Sequence, residues 1–369
     1  MHIVLITLHR VTNFGSMIQS YALTHFLEKN GYIVEILDFV PRGLRMKAAL
    51  FPINDRRSLT NKAVRFLPAL ICNIVEYCTM NIFVNKHLNV TKKRYHSYND
   101  VISDLPKADT YICGSDQIWN TQNYNLSDDI RVYYLDLPTD KAKKISYAAS
   151  FGKDAFSNGE MGNIKNWLSS FSGISVREDN ALCNLHRMGI DRAVQVLDPS
   201  FLLKDSDWET LIVDKKPVDG YVFVYNLNRN AQLKKISLQI AAERKLRIVN
   251  FADTFEFIKG AENRLINGPL DFLRYIANAE YIITDSFHGI ALSINFNRQF
   301  ICVPAPKYNC RLESLLRLFG LENRLIIGEI PNHLIDSIGK VEYKDVNKIL
   351  IKEREASGEY LLNLLGKEI

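Results

Sequence analysis

Short apolar runs alternate with helix-length stretches along nearly the whole chain, and this alternation limits the fold more than any other property of the sequence. Strand-like runs fall at 3–7, 33–38, 110–113, 144–148, 174–176 and 195–197. A second series follows at 221–225, 247–251, 281–284 and 300–303, with 325–327 as a further candidate. Helical stretches lie between them, at 16–30 with Gly31 as terminator, near 230–244 and near 271–279. Strands separated by helices cannot be joined as tight hairpins, so they pair in parallel as βαβ units. The charged, Pro-containing stretch 204–220 divides the two series, and 369 residues are too many for one ordinary core. The expected architecture is α/β, with two Rossmann-like lobes facing a cleft. An N-terminal lobe covers 1–204, a C-terminal lobe 217–340, and a charged amphipathic helical segment 341–369.

A composition of 47% hydrophobic and 24% charged residues is that of a soluble globular protein. The six cysteines form no C-x-x-C pair and several sit in apolar runs, which suits reduced thiols in the cytoplasm. The opening HIVLITL reads as a strand rather than a signal peptide. Neither G-x-G-x-x-G nor a P-loop is present, and the histidines lack ligand spacing, so no dinucleotide, metal or other cofactor is expected.

Charge is unevenly spread. The window 41–96 holds eleven Lys/Arg and two acids, a net +9 in a chain of +5, which leaves the remainder at −4. Within it, the apolar stretch 63–84 is interrupted by Arg65, Pro68, Asn73, Glu76 and Asn81, too often for a membrane span of ~20 apolar residues. Two readings stay open: a face that docks on an anionic membrane, or a core helix with a solvated basic flank. Nucleic acid is not expected, since no aromatic-stacking module or zinc-finger spacing accompanies the charge.

Chemistry in open α/β sheets gathers at the carboxyl ends of the strands. The clearest such end is YIITDSFHG, 281–289, where an apolar strand runs into a loop that should carry His288 at its apex, ahead of an apolar helix. An imidazole titrates near ~6.5 and can act as acid or base. Asp285, three residues earlier, is positioned to hold that ring or to favour its protonated form. After the first strand, Asn13, Gly15 and Ser16 suit a turn that opens a helix, with N–H groups available to an anion or hydroxyl. At YICGSDQIWN, Ser115, Asp116 and Gln117 crowd a strand end, and Trp119 offers a flat face of the kind sugars stack on. Arg177 follows directly on the strand 174–176. Its guanidinium suits a carboxylate or phosphate, unless it pairs with Glu178 or Asp179 at the surface.

The ordered series NFGSMIQSYAL, ICGSDQIWN, ISYAASFG, SVRE, VLDPSFLL and TDSFHG resembles the polysaccharide pyruvyl transferase family over residues 1–325. The resemblance implies a fold of the glycosyltransferase-B type. It also implies transfer of the pyruvyl unit of phosphoenolpyruvate to a hexose of a bacterial surface polysaccharide, as a ketal with release of phosphate. Matched residue by residue, it makes His288 the general acid and Arg177 a donor ligand; Asp285 is expected to assist His288, and Ser286, Phe287 and Gly289 to line the donor site. Many members carry arginine where this chain has Ser286, and Arg311 is the local candidate to replace that charge. The N-terminal lobe becomes the acceptor side, with Asn13, Gly15, Gln19, Ser115, Asp116, Gln117 and Trp119 as acceptor-binding residues. The expected partners are phosphoenolpyruvate, a lipid-linked or free saccharide, and the anionic inner face of the cytoplasmic membrane. The competing functions are a two-lobe nucleotide-sugar glycosyltransferase and a non-catalytic glycan-binding protein.

Overall fold

Strands covered on both faces have no polar side to show, and the apolar runs of this chain become such strands. The computed structural model describes residues 1–41, 59–120, 129–139, 141–153, 155–212, 220–252, 256–305 and 309–367. Among these, the strands form two wholly parallel sheets. The first contains β1 (His2–Ile6), β2 (Ile33–Ile36), β3 (Thr110–Cys113), β4 (Lys143–Ala149), β5 (Gly173–Val176) and β6 (Val194–Gln195), in the order β2-β1-β3-β4-β5-β6. The second contains β7 (Tyr221–Tyr225), β8 (Arg247–Phe251), β9 (Glu262–Arg264), β10 (Tyr281–Thr284) and β11 (Gln299–Cys302), in the order β11-β10-β7-β8-β9.

Each order reverses once, between β1 and β3 in the first sheet and between β7 and β10 in the second. At such a switch point the loops leaving two adjacent strands turn to opposite faces and leave a crevice at the strand carboxyl ends. The topology therefore nominates two loop pairs before any side chain is considered.

Departures from the expected strands fall at sheet margins. The segment 325–327 contributes only an isolated bridge, Leu325 to Cys302. The sixth strand is Val194–Gln195 rather than 195–197. The three residues of β9, ENR, carry no apolar signal because they form a polar edge.

Helix α1 (Phe14–Lys29) is buried through most of its length and ends where Gly31 takes φ +90°, a conformation glycine adopts without penalty. Four further helices matter below: α2 (Leu59–His87), α3 (Ala231–Arg244), α4 (Phe287–Asn295) and α5 (Tyr343–Leu364). The chain forms two compact units, Met1–Leu202 with Glu353–Ile369, and Leu203–Lys352. The helical segment 341–369 is divided between them: α5 begins in the second unit and ends in the first. Of the basic window, Arg42, Arg45, Lys47, Arg56 and Arg57 lie outside the described residues, as do the side chains of Lys62 and Arg65. Among the described residues no helix is long and apolar enough to cross a membrane.

The first unit's core corrects one expectation. Trp119 is fully buried, stacked on Tyr134 with ring centroids 5.1 Å apart and flanked by Phe151 and Phe171. Its indole N–H donates to the Tyr133 carbonyl at 3.1 Å. No face of the ring is left for a sugar. Trp119→Ala is accordingly expected to lose about 3–5 kcal/mol of stability in urea unfolding, while Trp119→Phe keeps the wild-type acceptor KM. A Phe variant of normal stability that lost acceptor affinity would return this ring to the binding site.

Candidate active site

At the first switch point the loop leaving β1 meets the loop leaving β3. Asn13 caps α1, its side-chain oxygen accepting from the N–H groups of Gly15 at 2.9 Å and Ser16 at 3.4 Å. That oxygen is committed to the helix, and Gly15 lies buried in the first helical turn. Gln19, one turn further on, is wholly buried. Its amide nitrogen donates to Thr7 Oγ1, Ser16 O and Ser20 Oγ, each at 2.9 Å, so it ties α1 to the end of β1 and cannot reach an acceptor. Ser16 Oγ donates to Asp116 Oδ2, and this bond joins the two loops of the crevice.

Asp116 occupies the left-handed region at φ +73°, which asparagine and aspartate tolerate better than most residues. Its carbonyl accepts from the N–H of Ile118 at 2.7 Å and of Ser150 at 3.0 Å, which fixes the turn. Gly114, two residues earlier, is required by close approach, since a Cβ there would lie 2.9 Å from Thr7. Ser115 points inward and donates to Asp198 Oδ2 at 3.1 Å, so it too is removed from the acceptor set. Gln117, half-buried, accepts from Asn120 at 2.7 Å and packs on Gly152, where any Cβ would collide with it. Of the seven expected acceptor residues, the structure thus leaves Asp116 and Gln117 with side chains at the crevice.

Arg177, at the end of β5, is buried and not a surface ion pair. Its Nη1 donates to Asp198 at 2.8 Å, while Glu178 lies 3.6 Å from Nε and Asp116 3.8 Å from Nη2. Burial works against the guanidinium's charge, and the carboxylates of Asp198, Glu178 and Asp116 more than offset it, so the proton is held more tightly than usual. Asp198 is the hub: one oxygen takes Arg177 and Ser115, the other takes the N–H of Ser200 at 2.9 Å and its hydroxyl at 2.7 Å. Glu178 accepts from Ser150 Oγ. Sequence reasoning assigned nothing to Asp198, Ser150 or Ser200. The motif VLDPSFLL was the available signal for the first and last.

At the second switch point the loop leaving β7 meets the loop leaving β10. Asp285 spans them, accepting from Leu227 N at 2.8 Å and from Asn228 N and Nδ2 at 2.9 Å each. Its carboxylate is therefore a strut between strand ends, not the partner of His288. The Asn-rich turn 226–230 passed unnoticed in the sequence, although three asparagines directly after an apolar strand were a turn signal. Ser286 is the N-cap of α4, its hydroxyl accepting from Gly289 N at 3.3 Å. An arginine there could not cap the helix in this way. Gly289 is needed because a Cβ would lie 2.9 Å from Thr284.

His288 is not at a loop apex. It is the second residue of α4, buried, with its ring set edge-on to Phe287 at 5.3 Å between centroids. The first turn of a helix presents unpaired N–H groups and favours negative charge beside it. Arg311 stands in the first turn of the helix Cys310–Phe319 that follows β11. Since β11 pairs with β10, it belongs to the same sheet edge. Among the described residues no group of three His, Cys, Asp or Glu side chains is disposed to hold a metal ion.

This arrangement has relatives. The structure is similar to that of the UDP-GlcNAc 2-epimerase from Neisseria meningitidis bound to UDP-GlcNAc, with TM-score 0.53, 10% identity and all of both chains covered. It is similar to the UDP-GlcNAc 2-epimerase from Methanocaldococcus jannaschii, with TM-score 0.50, 14% identity and 99% of each chain covered. A putative UDP-N-acetylglucosamine 2-epimerase from Listeria monocytogenes gives TM-score 0.50 at 10% identity, over 99% of this chain and 94% of that one. At such identities the likeness is one of fold, two Rossmann-like lobes of the glycosyltransferase-B type. No curated protein sequence matches the chain. The family model for polysaccharide pyruvyl transferases matches residues 13–305, a span that includes the second switch point, Asp116, Arg177 and His288, and the chain belongs to that family.

Proposed function

We propose that the protein transfers the pyruvyl unit of phosphoenolpyruvate to two hydroxyls of a hexose, in a surface polysaccharide or its lipid-linked precursor, forming a ketal and releasing phosphate. The observation that carries this reading is His288, a buried imidazole in the first turn of α4 at the switch point of the second lobe. An acid and an anion site then coincide, as a phosphorylated enol requires.

His288 delivers a proton to the methylene carbon of the donor, which becomes a methyl group and leaves an oxocarbenium-like neighbour. One sugar hydroxyl adds to that carbon and gives up its proton. The C–O bond to phosphate breaks, and the second hydroxyl closes the ketal. Of the two hydroxyl protons, one restores the acid and the other leaves with phosphate. The base assigned to the hydroxyls is Asp116. Asp198 is saturated by four donors, and the Glu178 side chain is 3% exposed, whereas that of Asp116 is 9% exposed and stands at the crevice. Arg177, with its side chain 1% exposed, is assigned to holding Asp116 and the strand-end loops in place, its fork fixed by Asp198. One cation among three carboxylates does not itself draw in a trianion, so the attraction is assigned to the α4 N-terminus and Arg311.

Purified protein given phosphoenolpyruvate and a panel of aryl hexosides should release phosphate and add a pyruvyl ketal mass to one of them. Release of a nucleotide from a sugar nucleotide instead would replace this reading with a glycosyltransferase. His288→Gln and Asp116→Asn should each fold normally and lose turnover by at least ~100-fold. Near-normal kinetics in either variant removes that residue from its role. Asparagine keeps the left-handed turn available but removes one of the three carboxylates around Arg177, so Asp116→Asn should melt somewhat earlier, and a folded variant with normal kcat would leave Asp116 a structural role alone.

For the donor side, Arg311→Ala should weaken phosphoenolpyruvate binding in titration calorimetry. Arg177→Lys should keep affinity within several-fold and lower kcat more, because an ammonium cannot make the forked contact. Unchanged donor affinity in Arg311→Ala would take that residue out of the site.

A further inference from the structure

We infer that the outer face of α2 is a docking surface for anionic phospholipid. The helix has two unlike sides. Its inner side is bound to the first unit through Met80, Phe83 and Val84, which are buried, and at the margin of the outer side Arg10 Nη1 donates to Asn81 at 2.6 Å and Nη2 to Asn85 at 3.4 Å. On its outer side, Ile71, Ile74 and Ile82 are 52%, 43% and 63% exposed, and Cys78 is exposed between them. At 100° per residue these four and Lys86 fall within an arc of about 120°, a stripe roughly 22 Å long. Glu76 is the only acid of the helix, and the same geometry puts it well off the stripe.

Isoleucines 43–63% exposed, aligned along one helix face, form an apolar patch that calls for a partner. The charge beside them selects which one. Lys86 continues the stripe, and Lys92, Lys93 and Arg94, all exposed, follow in the chain just beyond the end of the helix. Lys93 pairs with exposed Asp104 at 2.8 Å, a surface contact of little strength that a lipid phosphate can displace. Arg94 uses Nε on Asp38 at 2.9 Å. A second copy of the chain packed on this face would set one row of cations against another. An anionic leaflet offers the opposite charge and an apolar layer for the isoleucines to enter. A stripe of this length, on a helix whose reverse side is packed into the first unit, lies along the interface rather than crossing it.

This inference does not depend on the reaction proposed above. The full-length protein should sediment with vesicles of phosphatidylcholine containing phosphatidylglycerol, and not with phosphatidylcholine alone. Attachment should weaken as salt rises, because the basic residues act within a Debye length of ~8–10 Å. Ile74→Glu with Ile82→Glu, and separately Lys86→Glu with Lys92→Glu, should each lower the bound fraction at least ~5-fold. Neither pair should change phosphate release with a water-soluble acceptor. Wild-type sedimentation that ignores lipid charge, or that both double variants retain, overturns the assignment. So does analytical ultracentrifugation showing a dimer that the Ile74→Glu, Ile82→Glu variant dissociates, which would make the stripe a contact between two copies.

Discussion

Arg177 carries a charge that burial alone would make intolerable, and the strand-end loops of the first lobe are arranged to keep it. A buried ion is retained only where its partners are close and themselves hydrogen-bonded. Here the partners come from three separate strand ends: Asp116 after β3, Glu178 after β5 and Asp198 after β6. Each is secured in turn by a serine hydroxyl, from Ser16, Ser150 and Ser115 respectively, with Ser200 holding Asp198 a second time. The loops therefore cannot move one at a time. Removing any one carboxylate strips the guanidinium of part of its compensation, and removing the arginine leaves three acids facing one another out of water. A crevice built in this way is pre-formed, as positioning for catalysis requires.

The second lobe meets the same need for fixed loops with a carboxylate bonded to backbone and amide N–H groups rather than to a guanidinium. Asp285 takes two backbone N–H groups and one side-chain amide from the turn after β7. Charge-assisted bonds to a backbone position a loop without presenting a competing positive group. The two switch points consequently differ in character. The first gathers three carboxylates around one arginine, a net negative environment in which Asp116 is the carboxylate nearest the crevice. The second places the N-terminus of α4 and Arg311 on one sheet edge, an environment for anions. The two strand-end crevices thus differ in electrostatic sign, the first net negative and the second open to anions.

The sheets were legible in the sequence because strands buried on both faces leave an uninterrupted apolar record, as at 221–225 and 281–284. The polar edge β9 left none. His288 was found because a histidine just after such a strand is conspicuous, but its setting was misread. Whether Asp-Ser-Phe-His is a loop or a helix start depends on Ser286 capping Gly289, a hydrogen bond a single sequence does not display. Trp119 shows the opposite failure. An aromatic at a strand end looks the same whether it faces solvent or core, and only the placement of Tyr134, Phe151 and Phe171 around it decides. Ser115 and Gln19 were misassigned for a related reason, since polar side chains near an active site also serve to tie its loops together. Arg177 was recognised, but the distant partners that define its environment, Asp198 above all, could come only from the fold.

The loop leaving β1 joins two regions that the sequence treated separately. At its near end, buried Arg10 reaches Asn81 and Asn85 of α2 while its Nε donates to Asp38 at 2.7 Å, and His9 Nε2 lies 3.1 Å from the same carboxylate. Burial opposes the charge of Asp38, but the bonds from His9 and Arg10 prevail and hold its carboxyl far below the ordinary range. It therefore remains an anchor across the physiological pH scale. At its far end the loop supplies Asn13, which caps α1 and sets Ser16 against Asp116. Only a few residues of chain separate α2 from the proposed base, and both ends of that chain are fixed by buried polar bonds. A helix seated on a membrane through its outer stripe would thus hold this crevice at a set orientation to the surface, as a flexible tether could not.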